Sequence, residues 1–229
     1  ALYALTCAAK AQMLDIAKAR FTYFDDLTGE ERYLNTAKFF LAERGKKPYY
    51  FDLERGIESS EDAYYYNQAH MEPRLQREAV GHSVRATYLY SGMADVAKRT
   101  GDEGLYRACR TLIDNIMHQK LYITGGIGGT VDGEAFSFNY DLPNDLAYSE
   151  TCASIGLAFF GRRMLEFGPD ALIGDTVERA LYNTVLAGMA EDGKSFFYVN
   201  PLEVLPEACH RDSRKRHVKP VRQKWFSCA

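Results

Sequence analysis

The segment Asp141-Leu-Pro-Asn-Asp-Leu-Ala-Tyr-Ser-Glu-Thr-Cys-Ala-Ser154 sets a carboxylate, Glu150, two positions ahead of a thiol, Cys152. Pro143 and Asn144 keep the chain out of a helix and Ser149 has an N-cap side chain, so the pattern predicts a helix over 150–167. Glu150, Thr151 and Cys152 then share its first turn, where the positive end of the helix dipole favours thiolate. Residues two apart diverge in mid-helix, but in a frayed first turn both can reach one cation. A carboxylate and one thiolate are half of a tetrahedral zinc site. On residue chemistry alone the plainer role stands ahead: Glu150 complements the dipole and Cys152 packs as a small hydrophobe.

Three further features bear on chemistry. The glycine cluster Tyr122-Ile-Thr-Gly-Gly-Ile-Gly-Gly-Thr130 fits neither a P-loop nor a dinucleotide fingerprint. It reads as a loop whose backbone passes close to something, with Glu134 delivered just after it. His82 follows Gly81 in a predicted helix over 78–97, where spacing groups it with Glu78 and Arg85 on a polar stripe, near Arg74 and Gln76. A lone helix histidine is usually a hydrogen-bonded core residue, but polar residues facing a cavity are what a carbohydrate site requires. The basic run His210-Arg-Asp-Ser-Arg-Lys-Arg-His217 could serve nucleic acid, yet in an acidic chain it reads as a solvated loop. Serine-hydrolase, zincin and paired Cys-x-x-Cys motifs are missing from the sequence.

The elements that must position these groups are helices. Apolar residues recur at steps of three and four from Leu2 to Phe24, from Tyr33 to Leu41 with Gly45 at C′, and over 105–117 and 176–190. Asp192-Gly193 signals a tight turn before a strand over 195–200, and residues 46–77 read as a long, partly ordered connection. Thr28-Gly29-Glu30-Glu31 and Thr100-Gly101-Asp102-Glu103 repeat one helix–turn–helix pattern, with a looser copy from Phe167-Gly168-Pro169. Such hairpins cannot bury their faces alone, so they stack as an open solenoid or a closed toroid. The 229 residues, 46% of them hydrophobic, suit one domain over 1–229, and a net charge of −3 leaves no global field to hold a polyanion. No apolar run reaches the roughly 18 residues of a membrane helix, and the N-terminus is a poor signal peptide. Five cysteines, an odd and sparse set, read as thiols of a reducing, cytoplasmic setting. Aromatic content of 13%, mostly tyrosine and phenylalanine, suits pockets for polar ligands.

Glu78-Ala-Val-Gly-His-Ser-Val-Arg-Ala86, Tyr88-Leu-Tyr-Ser-Gly-Met-Ala-Asp-Val-Ala97, the 122–128 loop, the 141–153 segment, Leu181-Tyr-Asn183 and Phe196-Phe-Tyr-Val-Asn-Pro-Leu202 together resemble the β-L-arabinofuranosidases of glycoside hydrolase family 127. The likeness is strong from Glu78 to Ala229 and weaker before it. It implies an all-α fold, an (α/α)6 barrel, here a partial barrel of about half the usual helices with a short β-hairpin near the C-terminus. It implies a retaining glycosidase that uses a zinc-held cysteine thiolate where most use a carboxylate. By position, Glu150 and Cys152 match zinc ligands, which reverses the plainer role above. Glu134 matches the acid/base carboxylate, and His82 and Tyr198 match residues lining the sugar pocket. In the family, the stretch resembling Trp225-Phe-Ser-Cys-Ala229 leads into a Cys-Cys pair that completes the zinc site and supplies the nucleophile. Cys228 matches the cysteine beside that pair, so this chain alone is expected to bind zinc weakly and lack turnover. The implied partner is an L-arabinofuranoside-like carbohydrate, with no nucleic acid and no membrane, and a homodimer is compatible. Two alternatives remain: another α/α-toroid enzyme, of uronyl-hydrolase or epimerase type, using Glu134 and His82 without metal; or a non-catalytic helical scaffold, in which Glu134 and Glu150 would point to opposite faces.

Overall fold

The computed structural model describes residues 28–49, 52–53, 56, 58–207 and 221–224. The predicted helix over 2–24, the basic run and Trp225–Ala229 lie outside these residues.

The two helices richest in small residues are buried on nearly every side. Helix α3 (Ser83–Thr100) buries 12 of its 18 residues and α5 (Thr151–Met164) buries 10 of its 14, so they form an inner pair packed chiefly on each other. Helix α4 (Glu103–Asn115) buries one stripe, Leu105, Ala108, Cys109, Leu112 and Ile113, and covers α3 from outside. Helix α6 (Ala171–Arg179) does the same for α5, and α1 (Arg32–Glu43) packs on α3. The layered helical hairpins, which the periodicity predicts, make a partial helical toroid, the form that the resemblance implies.

The hairpin turns follow the repeat. Gly101 ends α3 at φ 66, a left-handed value that favours glycine, and Asp102 caps α4 by accepting from the Leu105 N–H at 3.0 Å. Asp170 caps α6 through the Ile173 N–H in the same way. Gly45 lies at φ 79 just past α1, the predicted C′ position. Helices α4 and α6 each run on into a π-helical segment, Ile116–Lys120 and Ala180–Leu186.

Inner helices approach closely where glycine allows. A Cβ on Gly156 would stand 2.2 Å from Thr87 Oγ1, a β-branched side chain bonded to its own helix backbone and unable to swing away. Gly156→Ala is therefore expected to force α3 and α5 apart and lower stability by about 1–3 kcal/mol, read as a fall in Tm. An unchanged Tm would show that the contact relaxes freely.

The strand over 195–200 is shorter than predicted. Strand β1 (Ser195–Phe196) pairs antiparallel with β2 (Gln223–Lys224), and the Asp192-Gly193 turn folds Phe196 back onto Met189 through an isolated bridge. Beyond Phe196 the chain leaves the ladder to bridge the turn before α5, Val199 against Glu150. A short helix, α2 (Glu61–Tyr66), and a 3-10 turn at Pro73–Leu75 occupy the predicted long connection. Among the described residues no helix is long and apolar enough to cross a membrane.

Candidate active site

His82 is not inside a helix. Gly81 takes φ 72, because a Cβ there would sit 2.2 Å from the Tyr65 carbonyl oxygen, and α3 begins only at Ser83. His82 is its N-cap: Nδ1 accepts from the Arg85 N–H at 3.4 Å, which leaves Nε2 to carry the hydrogen. Its predicted polar stripe does not exist. Glu78 lies outside the helix and pairs with Lys120, Arg74 pairs with Asp102, and Gln76 is buried against the carbonyls of Gln68 and Met71. Arg85 stacks over Tyr66 and bonds the Asn67 side chain at 2.6 Å.

The glycine loop works through close backbone approach, as read from sequence. A Cβ on Gly125 would meet the Ala180 backbone nitrogen at 2.6 Å, and one on Gly126 the Ser149 hydroxyl at 1.8 Å. Behind this loop Gly133 and Glu134 both adopt left-handed φ, 70 and 51, which is strained for glutamate and turns its side chain toward His82. Glu134 Oε2 lies 3.2 Å from His82 Nε2, and Oε1 accepts from the Tyr148 hydroxyl at 2.7 Å. Tyr148 carries no role in the sequence reading.

Ser149 is not the N-cap of α5. It sits at φ 42, Glu150 takes the N-cap position in extended backbone, and Thr151 and Cys152 begin the helix. Both Glu150, 2% exposed, and Cys152, 1% exposed, are buried. The Cys152 thiol and the Tyr198 hydroxyl hydrogen-bond the Glu150 carboxyl, while its Oε2 is buried without a partner. The carboxyl and the sulfur thus share one small space. Among the described residues, one group of three His, Cys, Asp or Glu side chains can share an ion: His82, Glu134 and Glu150, with ligand atoms all within 4.8 Å of one another. Cys152 extends that group on the Glu150 side. Glu134 and Glu150 face each other, opposite to the arrangement a non-catalytic scaffold required.

The two carboxyls are pushed apart electrostatically. The His82 hydrogen bond, against burial and with help from Tyr148, holds Glu134 below the usual glutamate range. Burial pushes Glu150 up, against the Cys152 and Tyr198 donors. Burial followed by the Glu134 charge raises the Tyr148 phenol, and burial followed by the Glu150 charge raises Tyr198, so both stay protonated donors. A carboxylate kept ionised, its side chain 35% exposed, thus stands beside a buried carboxyl–thiol pair with one oxygen unspent.

The family model for the beta-L-arabinofuranosidase GH127 catalytic domain matches residues 8–229. The chain belongs to this GH127 family. It is 37% identical over 210 residues to the non-reducing end beta-L-arabinofuranosidase of Bifidobacterium longum subsp. longum, covering 88% of this chain and 32% of that protein. A GH127 beta-L-arabinofuranosidase from Geobacillus stearothermophilus T6 superposes with a TM-score of 0.87 at 53% identity, over 93% of this chain and 34% of that one. A second GH127 beta-arabinofuranosidase superposes with a TM-score of 0.72 at 46% identity, over 82% of this chain and 27% of its own. The GH127 chain described here therefore spans about a third of the length of the relatives it matches.

Proposed function

We propose that this GH127 chain carries the acid/base side and half of the zinc site of a retaining β-L-arabinofuranosidase, with turnover a property of the complete catalytic domain. The observation that carries the proposal is the buried Glu150 carboxyl, one oxygen unpartnered, sharing its space with the Cys152 thiol beneath Glu134.

The donors fit the metal. A carboxylate oxygen and a thiolate sulfur suit borderline-soft zinc, and the orphaned Oε2 is the kind of buried polar atom that an ion satisfies. Zinc, when bound, keeps its sulfur ligands ionised at neutral pH. We assign Glu150 and Cys152 as two of its ligands, and leave His82 to Glu134. The nucleophilic thiolate that the family resemblance calls for is not assigned to any described residue; Cys152 is kept as a ligand.

Glu134 acts on the more exposed side of the site. With His82 and Tyr148 both donating to it, its carboxylate is set to take a proton from water in the second half-reaction. In the first half it must give a proton to the departing glycosidic oxygen. A sugar that draws either donor away removes a bond that favours the ionised form, which raises the proton affinity of Glu134 on binding. Tyr198, beside Glu150, and His82, beside Glu134, are assigned to the sugar, to which they would offer hydroxyl and imidazole groups. The reducing, cytoplasmic setting belongs to this proposal, since a cysteine serves a metal as its thiolate and not as half of a disulfide.

The test is release of L-arabinose from a synthetic β-L-arabinofuranoside by the complete domain; its failure, with zinc bound, would overturn the proposal. Zinc uptake should also follow pH. Burial lets Glu150 keep its proton to higher pH than an ordinary glutamate, and binding must expel it. Zinc affinity is therefore expected to weaken as pH falls through that raised range, before ordinary carboxylates titrate. In the metal-free protein the shift has the corresponding sign: its stabilising contribution is full below the unfolded pKa and lost as pH rises through the folded one. Titrating zinc against a chelator at stepped pH checks this, and an affinity flat until the ordinary glutamate range would contradict it.

A further inference from the structure

The turn that delivers Glu150 is bent against the preference of its own residues. Ser149 sits at φ 42, where L side chains are rare, and its hydroxyl is buried without a partner in the space that glycine at 126 leaves open. Something must hold it there.

Asn200 is placed to do so. Its side-chain Nδ2 lies 2.9 Å from the Ser149 carbonyl oxygen and 2.9 Å from Thr151 Oγ1, the two residues flanking Glu150. Its backbone N–H also donates to the Ser149 carbonyl, at 3.2 Å. Thr151 closes the loop: its hydroxyl donates to the Phe197 carbonyl at 2.6 Å and its N–H to the Tyr198 carbonyl at 3.0 Å. Behind the amide there is no slack, since a Cβ on Gly188 would stand 3.0 Å from Asn200 Oδ1. One amide therefore ties the segment bearing Tyr198 to the turn bearing Glu150.

We infer that Asn200 is a positioning residue, whose side-chain amide clamps the strained Ser149 turn and so fixes the Glu150 carboxyl against Cys152 and Tyr198. The inference rests on the metal site proposed above, but its geometry is independent of any ion. Groups that orient metal ligands typically set metal affinity by 10–100-fold.

The experiment, run in the complete catalytic domain, compares wild type with Asn200→Asp, which keeps the shape but loses the donor, Asn200→Ala, and the double variant Ser149→Gly/Asn200→Ala. Two readouts are taken: zinc affinity by competition with a chromophoric chelator, and amide hydrogen exchange over 149–153 in metal-free protein. Both single variants are expected to bind zinc at least about tenfold more weakly and to exchange faster over 149–153. Glycine adopts the left-handed turn unaided, so Ser149→Gly in the alanine background should restore most of both. Asn200→Asp carries the result should Asn200→Ala fail to fold. Unchanged exchange in the single variants, or no rescue by glycine, overturns the clamp. A complete wild-type domain that takes up no zinc while the exchange results hold would count against the metal reading alone.

Discussion

Cys152→Ala is expected to leave the fold standing and remove the zinc. The thiol is small and its loss from the inner face of α5 costs about 1 kcal/mol or less in packing, seen as a slightly lower Tm in chelator. Losing one ligand of a tetrahedral site should weaken zinc binding by roughly 100-fold or more. At a zinc concentration 100 times the wild-type Kd, wild type gains about 2.7 kcal/mol of stability, whereas the variant should gain about 0.4 kcal/mol. The decisive reading is thus the difference between melts with and without zinc. Arabinofuranoside cleavage should fall with the metal. Full activity after Cys152→Ala would favour a metal-free enzyme working through Glu134 and His82.

Glu134→Gln should do the reverse: keep zinc and lose turnover. General acid–base groups contribute about 10²–10⁴-fold, and the loss should depend on the aglycone. A nitrophenolate leaves with little help, so its glycoside should lose less in the bond-breaking step than an alkyl arabinofuranoside. The amide can accept from only one of His82 and Tyr148 while its NH2 faces the other, so a modest loss of stability is also expected. Equal losses on both substrates would argue that Glu134 does not donate the proton. Loss of zinc in Glu134→Gln would move it into the metal set, with His82 and Glu150.

The helices were legible because their burial is periodic. The stripe from Leu105 to Ile113 names the buried face of α4, and Gly101-Asp102 names the turn before it. Helix starts near the site were not. Predicted helices over 78–97 and 150–167 begin instead at Ser83 and Thr151, because Gly81 and Ser149 take left-handed turns that spacing does not reveal. The site is built from those turns. His82, Glu150 and the strained Glu134 all sit at element ends, where hydrophobic periodicity carries no information, and their meeting follows from backbone approach across the glycine loop. Resemblance therefore pointed to residues that local pattern read as ordinary capping and packing. Tyr148 and Asn200 escaped both, since a tyrosine and an asparagine in irregular segments give no signal until their partners are in place.

The central claim, that Glu150 and Cys152 hold one zinc ion between them, is tested most directly by X-ray absorption at the zinc edge on the loaded protein. The account predicts sulfur scattering at about 2.3 Å alongside oxygen near 2.0–2.2 Å, with the sulfur signal reduced in Cys152→Ala. A shell of only nitrogen and oxygen near 2.0–2.2 Å, unchanged in that variant, would place the ion among His82, Glu134 and Glu150 and contradict it.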